Sequence, residues 1–115
     1  MPSTPDIRGF LPLHPLEFRI LISLSDGPSY GTRIVEEIEA REAGRTKIYP
    51  ANLFRRIRDL LSRELLEECA APADADPRRT YVRLTRIGQA VARAEAERLR
   101  DLLADAAHHD LLAGR

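Results

Sequence analysis

At 115 residues, 43% of them hydrophobic, the chain has apolar material for one domain with one core and is too short for two. Its single cysteine, Cys69, excludes an internal disulfide, the first ten residues lack the basic and apolar regions of a signal peptide, and Arg19, Asp26 and Arg33 interrupt the apolar runs; a reducing cytoplasm fits and a membrane span does not. A formal net charge of zero argues, as a sum, against a phosphate-binding surface, but Glu36, Glu37, Glu39 and Glu42 cluster in one segment while Arg45, Lys47, Arg55, Arg56, Arg58 and Arg63 follow it, so a basic face fits within a neutral chain.

Residues 1–11, with Pro2, Pro5 and Gly9, carry no periodic apolar pattern and read as an N-terminal arm whose order depends on what it docks against. A first helix is predicted from Pro15 to Ser25, with Leu16, Ile20, Leu21 and Leu24 on one face and Asp26-Gly27-Pro28 as its stop. Ser29 then caps a second helix from Tyr30 to Glu42, in which Ile34, Val35 and Ile38 form the buried stripe and Gly44 supplies the exit. Pro50 opens a third helix to Glu64, with Leu53, Ile57, Leu60 and Leu61 inward and Ala51, Asn52, Arg55, Arg58, Asp59 and Ser62 outward.

Leu65 to Ala70 and Thr80 to Thr85 read as two strands around a turn-rich tip, Ala71 to Pro77. Thr85 caps a last helix that the pattern extends to Leu112, roughly 40 Å at 1.5 Å per residue. A core this small cannot cover that length. Ala92, Ala96, Leu99, Leu103 and Ala106 follow one another by four, three, four and three residues, the spacing of a coiled-coil seam, so a second copy is the expected cover. The fold expected is mainly α with a small β-hairpin: a winged helix-turn-helix over residues 12–85 and a dimerisation helix over 86–115.

Three stretches carry a family resemblance. Gly27-Pro28-Ser29-Tyr30-Gly31-Thr32-Arg33-Ile34, Pro50-Ala51-Asn52-Leu53-Phe54, and Pro77-Arg78-Arg79-Thr80-Tyr81-Val82-Arg83-Leu84-Thr85-Arg86-Ile87-Gly88 resemble the helix-two start, the recognition-helix opening and the wing of PadR transcriptional regulators, in the short class with a single winged helix. Three positions depart from the family pattern: Phe54 stands for its usual tyrosine, Arg55 for a frequent proline, and Glu64 for the glycine that ends the recognition helix. The resemblance implies a homodimeric bacterial regulator, cytoplasmic and associated with the nucleoid, whose partners are double-stranded DNA, a second copy and, in many relatives, a small-molecule effector.

A recognition helix fits the major groove, where asparagine pairs with adenine and arginine with guanine, so Asn52 and Arg55 are the candidates for reading bases. Lys47, Tyr49 and Arg56 flank the same helix end as phosphate contacts, and Arg78 and Arg79 of the wing face a neighbouring groove. The expected output is repression from an inverted-repeat operator. The competing reading is a winged helix that serves as a protein-interaction adaptor. An enzyme is not expected, since no glycine-rich phosphate loop, paired-cysteine motif or serine elbow is present, and neither a cofactor nor a metal is implied. His108, His109 and Asp110 have side chains able to bind a metal together with His14, but adjacent histidines point apart on a helix and the three read as a frayed helix end, and Cys69 as a buried strand residue. Phe10, Phe18, Leu99 and Leu103 are read as core more readily than as a pocket lining.

Overall fold

A computed structural model describes residues 6–45 and 47–112; the first five residues of the arm and the last three of the chain lie outside the described residues. A short 3-10 turn at Arg8–Phe10 precedes helix α1, Pro15–Ser23. His14 caps α1: its Nδ1 accepts from the Leu16 N–H at 3.0 Å, and Glu17 reaches back to accept from the His14 N–H at 3.3 Å. After α1 the chain turns through Gly27, at φ 144°, into strand β1, Ser29–Tyr30, and then helix α2, Gly31–Glu42. Helix α3 spans Pro50–Ser62, strands β2 and β3 are Leu66–Cys69 and Tyr81–Leu84, and helix α4 runs Arg86–His108.

The three strands form one antiparallel sheet in the order β1-β3-β2, with Tyr30 opposite Tyr81 and Leu66 opposite Leu84. Helices α1, α2 and α3 enclose a core of Ile20, Leu21, Ile34, Ile38, Leu53 and Leu60, closed from the sheet side by Leu65 and Leu66 and from α4 by Val91. Two joints fix the end of α3 to the sheet and to α4. At the first, Glu64 takes a left-handed φ of 63° while Leu65 N–H donates to the Leu60 carbonyl and Glu64 N–H to that of Leu61, both at 3.0 Å, which is a Schellman termination. At the second, the Thr85 hydroxyl donates to the Glu64 carbonyl at 2.7 Å and accepts from Gly88 N–H at 2.9 Å. Gly88 packs so closely on Leu65 that a Cβ there would collide with the Leu65 carbonyl oxygen.

The structure corrects several sequence expectations. The sheet has a third strand: β1 is two residues long, too short for any periodicity to register, and Ser29 accepts from the Arg33 Nε at 2.9 Å instead of capping α2. Helix α1 ends at Ser23, α3 at Ser62 and α4 at His108, each two to four residues short of its predicted end, because the terminal residues enter tightened or left-handed turns. In the described part of the arm, Ile7, Phe10 and Leu11 dock against the core, next to Leu13, which lies within it. Cys69 is half-buried, at the end of a strand whose partner covers one side only.

Candidate nucleic-acid interface

The outer face of α3 is built by the helix period. Leu53, Ile57 and Leu60 are buried, so the intervening Arg55, Arg58 and Asp59 stand in solvent, with Asn52 half-buried beside them. No side chain caps the α3 N-terminus and no acidic residue lies in its first turn; Pro50 has no N–H and the Asn52 N–H donates to the Tyr49 carbonyl at 2.9 Å, so the Ala51 N–H and the positive end of the helix dipole face an anion there. Tyr49, just before the helix, is 56% exposed, and the Lys47 ammonium sits 5.9 Å from its ring centroid.

Beside α3 lies the wing. Its tip is organised by two turns, Ala75 N–H to the Pro72 carbonyl and Arg79 N–H to the Asp76 carbonyl, each at 3.0 Å. Asp76 also accepts from the backbone and guanidinium of Arg78, and this hydrogen bonding from Arg78 holds its carboxyl below the ordinary value. Arg78 is therefore turned to its own loop. Arg79 instead lies over the Tyr30 ring, 4.2 Å from its centroid. A groove of about 380 Å³ runs between the two elements, lined by Arg58 of α3, by Arg78 and Arg79 of the wing and by the acidic Glu68 of β2, with Tyr30, Phe54 and Ile57 among its apolar residues.

The distribution of ion pairs resolves how a neutral chain carries a basic face. Arg19 pairs with Glu42, Arg33 with Glu37, Arg83 with Glu67 and Arg98 with Glu95, all away from the outer face of α3. Among the described residues no carboxylate lies within 4.0 Å of Lys47, Arg55, Arg58 or Arg79. Arg56 is different. It faces inward, its guanidinium 3.5 Å from the buried Glu17 carboxylate that Arg63 also grips at 2.8 Å, so α1 and α3 are joined by a shared ion pair and Arg56 is removed from the candidate phosphate contacts.

On the other side of the molecule, α4 leaves its domain. Ala92 packs on the core, Ala96 is exposed, Leu99 and Ala106 are partly covered, and Leu103 is 53% exposed; Leu102 at 54% and Ile22 of α1 at 47% add to this apolar surface. Between α1 and α4 is a cavity of about 720 Å³ lined by Leu13, Leu16, Phe18, Ile22 and Leu99 among others, so Phe18 and Leu99 do border a pocket, while Phe10 packs on the core. At its edge Glu95, 1% exposed, accepts from Leu13 N–H at 3.1 Å and from Arg98 at 2.6 and 2.9 Å. Among the described residues no helix is long and apolar enough to cross a membrane.

The sequence profile described as the transcriptional regulator PadR-like family matches residues 20–94, from the middle of α1 through the wing into α4. The chain belongs to the PadR-like family of transcriptional regulators. As a PadR-like protein it is a DNA-binding regulator of transcription and not an enzyme. Its winged-helix fold is shared with a PadR family regulator from Clostridium difficile, at 17% identity and a TM-score of 0.68, covering 82% of this chain and 96% of that one. A Streptococcus transcriptional regulator is similar at 20% identity and a TM-score of 0.70, covering 83% and 91%. A zinc-responsive MarR family member from Lactococcus lactis is similar at 21% identity and a TM-score of 0.63, covering 94% and 68%. No curated protein sequence matches the chain.

Sequence reasoning passed over several residues of this PadR-like surface. Arg58 was legible as an outward residue three positions after Arg55, but its place opposite Arg79 needed the wing to be built. Tyr30 looked like the first residue of a helix. Glu17 drew no reading, since nothing in the sequence links it to Arg56 and Arg63, some forty residues on.

Proposed function

We propose that this regulator is a homodimer that reads an inverted-repeat operator and represses by occupying it. The observation that carries the reading is the groove where α3 meets the wing: Arg58 and Arg79 flank it, Arg55 lies on the same helix face, and none of the three has a carboxylate partner among the described residues. Asn52 and Arg55 are the base-reading side chains, each two-pronged contact contributing roughly 1 to 3 kcal/mol of discrimination. Lys47, Tyr49 and the uncapped positive end of α3 hold phosphates at the helix end, and Arg58 and Arg79 do so across the groove; Arg78 contributes less because Asp76 already occupies it. Dimerisation through Ala96, Leu99, Leu103 and Ala106, widened by Leu102 and Ile22, accounts for apolar surface that the protomer leaves in water. The cavity between α1 and α4 offers room for a small-molecule effector, which acts only if it binds one dimer geometry better than another.

The test is a fluorescence-anisotropy titration against DNA from the gene's own upstream region and against a scrambled duplex, at two salt concentrations. A sequence-reading repressor binds the upstream DNA more tightly, and its affinity falls steeply with salt. Arg55→Ala, on an exposed face, is expected to lose that preference by roughly 1 to 3 kcal/mol while keeping its thermal midpoint. Equal, weak binding to both duplexes favours the adaptor reading.

A further inference from the structure

We propose that Tyr30 is a positioning residue for DNA binding: its ring is the platform that holds the wing cation Arg79 in the orientation that meets phosphate. The proposal rests on the reading of Arg79 as a DNA contact. The Arg79 guanidinium lies 4.2 Å from the Tyr30 ring centroid, and it has no carboxylate within 4.0 Å among the described residues. A carboxylate partner would occupy the guanidinium N–H groups, as Asp76 does for the neighbouring Arg78. A ring beneath the guanidinium plane leaves its five N–H donors free at the edge. Stacking thus orders the side chain without spending its hydrogen bonds, so less rotamer freedom remains to be lost when phosphate arrives.

The platform is itself fixed. Tyr30 lies in β1 directly opposite Tyr81 of β3, and the two rings meet edge to face at 5.3 Å. Arg33 approaches the same ring at 5.2 Å but is held by the Ser29 hydroxyl at 2.9 Å and the Pro28 carbonyl at 3.0 Å, which leaves Arg79 as the cation free to act. Strand β1 therefore joins the start of α2 to the wing and sets the height of the wing cation above the recognition helix.

The experiment is a double-mutant cycle of Tyr30→Leu and Arg79→Ala, with Tyr30→Phe alongside, read as affinity for a mixed-sequence 30-base-pair duplex over a salt series. Arg79→Ala is expected to weaken binding on the order of tenfold and to make the salt slope shallower by about 0.9 for each protomer. Tyr30→Leu is expected to weaken binding about threefold in the wild-type background and not at all in the Arg79→Ala background, while Tyr30→Phe keeps the ring and the affinity. A Tyr30→Leu effect that persists without Arg79, or a Tyr30→Phe loss equal to that of Tyr30→Leu, would overturn the positioning role and leave the DNA reading of the wing intact. An Arg79→Ala variant with unchanged affinity and slope would overturn both. Should Tyr30→Leu fail to fold, the Arg79 side-chain protons of the wild-type protein decide the matter by NMR: upfield ring-current shifts support the stack, and random-coil positions refute it.

Discussion

Glu64 occupies a backbone conformation that suits glycine. Its left-handed φ of 63° is imposed from both sides, by the Schellman bonds that end α3 and by the Thr85 hydroxyl on its carbonyl. An L side chain there costs roughly 1 kcal/mol, so Glu64→Gly is expected to raise stability by about that amount in urea unfolding, with no change in DNA preference. Glu95 is a second residue whose chemistry follows from place. The Arg98 guanidinium lowers its pKa, burial works in the opposite direction, and the Leu13 N–H adds to the lowering. A carboxylate with a depressed folded value contributes stability that is fully present above the ordinary 4.5 and is lost as pH falls through the folded value. Stability should therefore drop on acidification below about 4.5, and Glu95→Gln should flatten that part of the pH profile while lowering stability at neutral pH.

Helix α4 does two jobs along one length. Its first turns belong to the domain, pinned by Gly88 on Leu65 and by Val91 in the core, whereas from Ala96 onward the apolar positions face outward. Leu103→Asp tests the seam more cleanly than a change at Leu99, because Leu103 is 53% exposed in the protomer and Leu99 also lines the α1–α4 cavity. The expected result is a folded protein, by circular dichroism, that sediments as a monomer at concentrations where the wild type is dimeric, since each buried leucine contributes about 1.5 to 3 kcal/mol. A variant that remains dimeric would remove this stripe from the interface. Helices α1 and α3 are coupled in another way: Glu17 takes both Arg56 and Arg63, so the recognition helix is held by charge as well as by Leu53 and Leu60.

The whole molecule is flat, 51 × 47 × 22 Å, with the α3–wing groove built by α2, α3 and the sheet and the apolar stripe carried on α1 and α4. In the two-fold dimer proposed above, the two recognition helices are expected about 34 Å apart, one turn of duplex. Once an operator is identified, inserting about 5 base pairs between its half-sites turns one of them to the opposite side of the duplex. Affinity in a gel-shift series is then expected to fall to that of unrelated DNA, and to recover on inserting a full turn of about 10 base pairs. Unchanged binding across the series would exclude a rigid two-fold reader.

The number and order of the long elements, the faces of α1 to α3 and the Thr85 cap were determined by sequence alone, because helix period, proline and glycine punctuation and short-range capping act over a few residues. The outward placement of Arg55 and Arg58 followed from the same period. Partnerships across distance were decided by tertiary structure: β1 against β3, Arg56 turned inward to Glu17, Arg78 claimed by Asp76, and Arg79 laid on Tyr30. Each depends on which of several chemically equivalent neighbours lies nearest once the chain has folded. A sequence of 18 basic and 18 acidic residues fixes the sum of charge but not which cations remain unpaired. Packing alone selects those: among the described residues Arg55 and Arg58 of α3 and Arg79 of the wing are left without a carboxylate, as are Arg41 of α2 and Arg86 and Arg93 of α4.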